Sequence, residues 1–228
     1  MPEKWDGVIS QYINRRFSRP MARALAKHPR ITPNMVTILS TLVGLASGLV
    51  FALGFGWLGG LLAQLASITD GVDGDLAKLT GRITAFGGYL DSILDRYVDA
   101  AIFLGMTWFA YTNGGGQYAI LFGVLALAGS LLVSYTRSKA NDISKTLFEG
   151  KIAQYLANRD VRLFTVMVGS LLSIVYPAAV LYTLLTITAI TSLTVLMRTI
   201  EIYRKTRNLD PYTPPTVNLE LEHEGRLV

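Results

Sequence analysis

The chain has 228 residues, 51% of them hydrophobic, a mean hydropathy of +0.39 and a formal net charge of +5. That balance argues against a water-soluble domain. The lack of cysteine excludes disulfides and thiolate metal sites, and with only His28 and His223 a histidine-built metal centre is not expected.

Residues 1–30 read as a cytoplasmic juxtamembrane segment. Within it Trp5–Lys27 forms an amphipathic helix, with Trp5, Val8, Ile9, Tyr12, Ile13 and Phe17 at helical spacing beside Arg15, Arg16, Arg19 and Arg23. Such a helix lies in the interface against anionic headgroups. No cleavable signal peptide is expected ahead of it. Thr32-Pro33 then opens the first span, with Thr32 as N-cap.

Residues 31–207 read as one six-helix membrane domain. The spans are Val36–Phe55, Leu58–Ile68 running into an aspartate motif, Tyr89–Tyr111, Tyr118–Tyr135, Leu163–Tyr176 and Ala178–Met197. A full crossing takes roughly 20 helical residues, so the short fifth helix is expected to start nearer Asp160. Gly44, Ser47 and Gly48 give the first span a face for close packing. Asn113-Gly-Gly-Gly116 marks a tight turn. Residues 208–228, with Pro211, Pro214, Pro215 and several Glu, read as a flexible cytoplasmic tail. The expected fold is therefore all-α and integral to the membrane: six transmembrane helices plus an N-terminal amphipathic interfacial helix.

The turns near Gly54–Trp57, Thr112–Gln117 and Pro177 carry no Lys or Arg. Basic residues lie at the opposite helix ends, which the positive-inside rule makes cytoplasmic, along with both termini. The aspartates lie at this same face, so a cell-membrane protein with a cytoplasm-facing site is expected. No nucleic-acid partner is expected.

The chemistry is concentrated in Asp70-Gly-Val-Asp73-Gly74 and Asp91-Ser-Ile-Leu-Asp95. Spacings of three and four place each pair on one helix face. Unpaired carboxylates in a greasy bundle are costly, and four together call for a bound cation. An all-oxygen set suits Mg²⁺ or Mn²⁺, with a phosphate-bearing substrate completing the shell. Any one aspartate would serve as a helix cap at the water boundary; four at these spacings, with Gly74 and Gly87-Gly88 between, exceed that need. Lys78 supplies positive charge for a pyrophosphate. Asp75 is expected to face solvent. Asp99 continues the second face one turn deeper and is assigned a structural role, pairing with a basic residue.

The array D-x2-D-G-x2-A-R-x8-G-x3-D-x3-D resembles the signature of the CDP-alcohol phosphotransferase (phosphatidyltransferase) family. It is met here by Asp70, Asp73, Gly74, Ala77, Gly87, Asp91 and Asp95, with Lys78 in place of the usual Arg. Lys keeps the charge but loses the bidentate fork. The resemblance implies that Asp70, Asp73, Asp91 and Asp95 hold metal and that Asp95 is the catalytic base. Asp70, Asp73, Gly74, Ala77, Lys78 and Gly87 would bind the CDP group. In such a reaction an acceptor hydroxyl attacks the phosphoryl group next to the alcohol of a CDP-alcohol, and CMP leaves.

A second, basic cluster comprises Ser134, Arg137, Lys139, Arg162 and Arg198. Ordinary positive-inside charge accounts for Lys145, Lys151, Arg204, Lys205 and Arg207. Arg137, Arg162 and Arg198 sit at helix ends near the core, where they could converge on a phosphomonoester. Family members that take inositol phosphate carry basic residues at matching helix ends. Asp6–Arg15, Gly59–Ile68 and Asn158–Phe164 look like the membrane half of di-myo-inositol-phosphate-phosphate synthases. That resemblance implies CDP-inositol as donor, inositol 1-phosphate as acceptor, a separate cytidylyltransferase supplying CDP-inositol, and a homodimer among membrane lipids. A phospholipid synthase using CDP-diacylglycerol or CDP-archaeol would need the same acceptor charges and an apolar donor groove. A transporter with intramembrane aspartates is the reading from another class, but carboxylates confined to one face form no path across.

Overall fold

The computed structural model describes residues 9–143 and 156–207. Trp5, Val8, Lys145, Lys151 and the predicted tail at 208–228 lie outside the described residues. Among those described the structure is all helical. A π-helical turn, Ser10–Asn14, leads into α1 (Arg15–Leu25). The bundle proper is α2 (Pro33–Ala52), α3 (Gly56–Thr80), α4 (Ala85–Ala110), α5 (Gly116–Ile143), α6 (Arg159–Leu172) and α7 (Ala179–Thr206). The helix expected to start nearer Asp160 begins at Arg159 and runs to Leu172. Three stretches are long and apolar enough to cross a membrane: Pro33–Ala52, Ala85–Asn141 and Ala179–Thr206. The middle one is α4 and α5 with the Tyr111–Gly115 turn between them, where Asn113 and Gly114 leave helical geometry.

Local chemistry sets the helix ends. Thr32 caps α2 by accepting from the Met35 N–H, with Pro33 at the first helical position. α3 ends on Gly81 at φ 67°, a left-handed conformation in which a side chain is strained. Arg82 N–H then reaches the Ala77 carbonyl at 2.9 Å and Gly81 N–H that of Lys78 at 3.4 Å. Three residues later Thr84 caps α4 by accepting from Gly87 N–H at 3.0 Å. This abrupt stop and restart returns α4 beside the aspartate end of α3.

The small face of α2 does what its composition implies. A Cβ at Gly44 would strike Val98, and one at Gly48 would strike the Ala101 carbonyl, so α2 lies nearly backbone to backbone on α4. Ser47 donates to the Gly59 carbonyl of α3 at 2.7 Å. α2 thus wedges between α3 and α4, which scarcely touch each other. The core gathers Phe51, Ile102, Phe103, Met106, Phe109, Leu163, Leu184 and Ile187. Phe51 and Phe109 meet edge to face at 6.5 Å, a pair worth about 0.5–1.5 kcal/mol beyond its burial.

The N-terminal helix docks on α3 through one stripe spaced by four. Asn14 donates to Ser67 Oγ at 3.0 Å and accepts from Gln64 at 2.8 Å. Ser18 donates to Asp75 at 3.1 Å, and Ala22 packs with Val36, Val72 and Leu76. Tyr12, Phe17 and Met21 remain exposed on other faces. Asp75 therefore departs from its expected place in solvent: Arg15 Nη1 pairs with it at 2.8 Å, and both side chains are largely buried. The partner lies 60 positions away, beyond any local spacing rule.

Candidate active site

Asp70 rises from α3 and Asp91 and Asp95 from α4, and each presents a carboxylate oxygen within 4.8 Å of the others. Asp73 is turned aside. It accepts from Thr37 Oγ1 of α2 and from Gly74 N–H, each at 2.5 Å. The sequence-predicted four thus divide into a tight triad and a neighbour already hydrogen-bonded. The triad fits a divalent cation on two counts. Its donors are all carboxylate oxygens, the set preferred by Mg²⁺ and Mn²⁺. Asp91 Oδ1 is also buried and lacks a hydrogen-bond partner among the described residues, an arrangement too costly to leave without a ligand.

Two cavities flank the triad. The first is lined by Asn34, Thr37, Asp73, Gly74, Ala77, Lys78, Arg82, Thr84, Gly87, Gly88 and Asp91. It contains every residue expected to bind the CDP group except Asp70. A Cβ built on Gly74 or Gly88 would meet nothing within 4 Å. Those glycines border open space, and their missing side chains leave room for a ligand. Asn34, Thr37 and Thr84 line this cavity as well, polar side chains that no motif in the sequence marks.

The second cavity, of about 670 Å³, lies on the other side, lined by Asp95, Arg96, Ser134, Arg137, Asn158, Arg159 and Arg162 among others. Of the predicted acceptor residues, Ser134, Arg137 and Arg162 border it; Lys139 and Arg198 do not. Arg198 is 1% exposed and donates to the Val133 carbonyl at 2.6 Å and to Thr136 Oγ1 at 3.4 Å, tying α7 to α5. Arg137 and Arg162 are nonetheless the charged neighbours acting on it. Arg96 Nε and Asn158 Oδ1, both from cavity-lining residues, are buried without partners among the described residues.

Asp99 closes its own account. Arg162 Nη2 lies 2.7 Å from its Oδ2 and Arg159 Nε 3.3 Å from its Oδ1. Arg162 also donates to the Ala157 carbonyl at 3.0 Å. The structural role expected for Asp99 agrees with this pairing. Arg159, at the start of α6, is not among the predicted site residues. In the structure its Nη1 bridges Asp70 at 3.0 Å and Asp95 at 2.7 Å, which makes it the residue that joins α6 to the triad.

Fold and site together define a class: a helical, membrane-type protein with a carboxylate cluster between two cavities. The chain belongs to the CDP-alcohol phosphatidyltransferase family, whose model matches residues 30–197. It is 41% identical over 134 residues to the bifunctional IPC transferase and DIPP synthase of Thermococcus kodakarensis, covering 59% of this chain and 30% of that protein. Across four such bifunctional relatives the chain spans between 30% and 46% of their length. It is 30% identical over 208 residues to the archaetidylinositol phosphate synthase of Methanothermobacter thermautotrophicus, covering 90% of this chain and 99% of that one. Among solved structures it resembles Mycobacterium tuberculosis phosphatidylinositol phosphate synthase with CDP-DAG bound, at TM-score 0.72 and 25% identity, covering 87% of this chain and 100% of the other. The same enzyme in complex with manganese and citrate matches at TM-score 0.70 and 25% identity, over 86% and 93%.

Proposed function

We propose that this chain transfers a substituted phosphoryl group from a CDP-alcohol to the hydroxyl of an inositol phosphate, releasing CMP. The observation that carries the reading is the placement of the triad between two cavities: Asp91 borders the first and Asp95 the second. A donor seated against Gly74, Ala77 and Lys78 and an acceptor seated against Ser134 and Arg137 would meet at these carboxylates. Asp70, Asp91 and Asp95 would hold a divalent cation, with Asp73 beside them. When bound, such a cation neutralises pyrophosphate charge.

The chain's own residues do the rest. Asp95, at the acceptor side, takes the proton of the attacking hydroxyl, and its position there matters more than its intrinsic basicity. The hydroxyl oxygen forms a bond to the phosphorus next to the donor's alcohol. The bond from that phosphorus to the bridging oxygen breaks, and CMP departs with the electron pair. Lys78 at the donor side offsets the charge gathering on the leaving group. Arg137 and the neighbouring guanidinium groups hold the acceptor phosphate.

CDP-inositol is the donor and inositol 1-phosphate the acceptor in the reading the bifunctional relatives support. The archaetidylinositol phosphate synthase relative, matched over 99% of its length, favours a second reading with a lipid donor. In both, α2 to α7 supply six spans, with the carboxylate end and both termini cytoplasmic, and Tyr12, Phe17 and Met21 on the lipid side of α1. A separate enzyme making CDP-inositol belongs to the first reading, and a homodimer to both.

The test is a radiolabel transfer assay on the purified chain in detergent with Mg²⁺, pairing inositol 1-phosphate with CDP-inositol or a CDP-lipid. A water-soluble phosphodiester and CMP are expected from CDP-inositol. A product that partitions into organic solvent would establish the lipid donor, and no CMP release with either would refute both.

A further inference from the structure

Arg159 stands in the place where a cation held by the triad would act. Its Nη1 lies 3.0 Å from Asp70 Oδ2 and 2.7 Å from Asp95 Oδ1, while its Nε holds Asp99 at 3.3 Å. The other oxygen of Asp95 is also engaged, by Arg96 Nη2 at 3.2 Å. A divalent ion bound to Asp95 therefore has a guanidinium beside whichever oxygen it takes. It would sit about 2.0–2.1 Å from its oxygens if magnesium, closer than the arginine nitrogen and with twice its charge. Asp70 and Asp95 hold Arg159 less tightly once the ion is bound, because the two cations repel each other at short range and draw on the same carboxylate charge.

Arg159 also borders the second cavity, together with Arg137 and Ser134. A guanidinium displaced from Asp70 and Asp95 has that cavity to turn into, and a phosphomonoester there would accept its freed donors. We infer that Arg159 is a positioning residue that exchanges partners, pairing with the carboxylates or with the acceptor's phosphate, and so links divalent-ion binding to acceptor binding. The inference rests on the proposed metal-dependent transfer. Its two halves are reciprocal by linkage: whatever factor the ion adds to acceptor affinity, the acceptor adds to ion affinity.

The experiment is equilibrium binding on the full chain in detergent, with Mn²⁺ and inositol 1-phosphate as probes and no turnover. Arg159→Gln should tighten Mn²⁺ binding about tenfold, a usual size for coupling between sites. The unmodified protein should bind inositol 1-phosphate about tenfold tighter when saturated with Mn²⁺, and the substitution should remove most of that gain. Unchanged or weaker Mn²⁺ binding in Arg159→Gln would overturn the inference. Should that variant fail to fold, the unmodified protein still decides: Mn²⁺ affinity indifferent to inositol 1-phosphate overturns it equally. Mn²⁺ that binds but ignores Arg159 defeats this inference alone, whereas Mn²⁺ that does not bind the unmodified protein defeats the metal-dependent reading as well.

Discussion

Asp91 and Asp99 stand two turns apart on α4, yet their surroundings are opposite. Asp99 is 1% exposed and is paired on both oxygens, by Arg159 and Arg162. Asp91 keeps a buried oxygen with no partner among the described residues, beside Asp70 and Asp95 and at the edge of a cavity. A charge that the fold itself satisfies contributes to structure. A charge left unsatisfied beside like charges costs stability and is retained for what it binds. Between these two aspartates the difference is one of partners: Asp99 has an arginine on each oxygen, whereas Asp91 has an oxygen that the described residues leave unmet.

Substitutions that separate activity from stability can break that contrast. The largest effect is expected for Asp95→Asn, which removes the proposed proton acceptor: turnover in the CMP-release assay should fall by about 10²–10⁴-fold with the fold retained. Retained turnover would remove Asp95 from the base role. Asp99→Asn should act the other way round. It leaves Arg162 buried without its countercharge, and thermal or denaturant unfolding should show a loss of about 3–5 kcal/mol. An Asp99→Asn protein of unchanged stability but abolished turnover would place Asp99 with the site.

Arg15→Ala sharpens the comparison at the edge of the bundle. It removes the charged hydrogen bond to Asp75 that anchors α1, at a cost of about 1.5–3 kcal/mol read from the unfolding midpoint. Lys78→Arg is expected to be mildest, holding kcat/KM within about threefold because the positive charge at the donor cavity is kept. A large loss would show that the shape of the Lys78 side chain matters as well as its charge.

Sequence periodicity carried much of this. The spacings put Asp70 with Asp73 and Asp91 with Asp95; the structure gathers three of the four and leaves Asp73 on Thr37 and Gly74, while Thr32, Asn113 and Gly114 marked true boundaries. The Gly44–Ser47–Gly48 face packs as its small residues imply, though as a wedge between α3 and α4, so the two aspartate helices make few contacts with each other. What escaped was pairing over long separations. Arg162 reaches Asp99 across 63 positions and Arg15 reaches Asp75 across 60, and no local pattern encodes either. Arg198 donates to the Val133 carbonyl, a partner 65 positions away, with Arg137 and Arg162 the charged groups acting on it.

The most direct test of the central claim is Mn²⁺-dependent CMP release by Asp91→Asn, measured beside its unfolding temperature and those of the unmodified protein. Neutralising a carboxylate that the fold leaves unsatisfied should abolish turnover while leaving Tm unchanged or raised. Turnover that survives, or that disappears only because Tm collapses, would make Asp91 a structural residue like Asp99 and contradict the account.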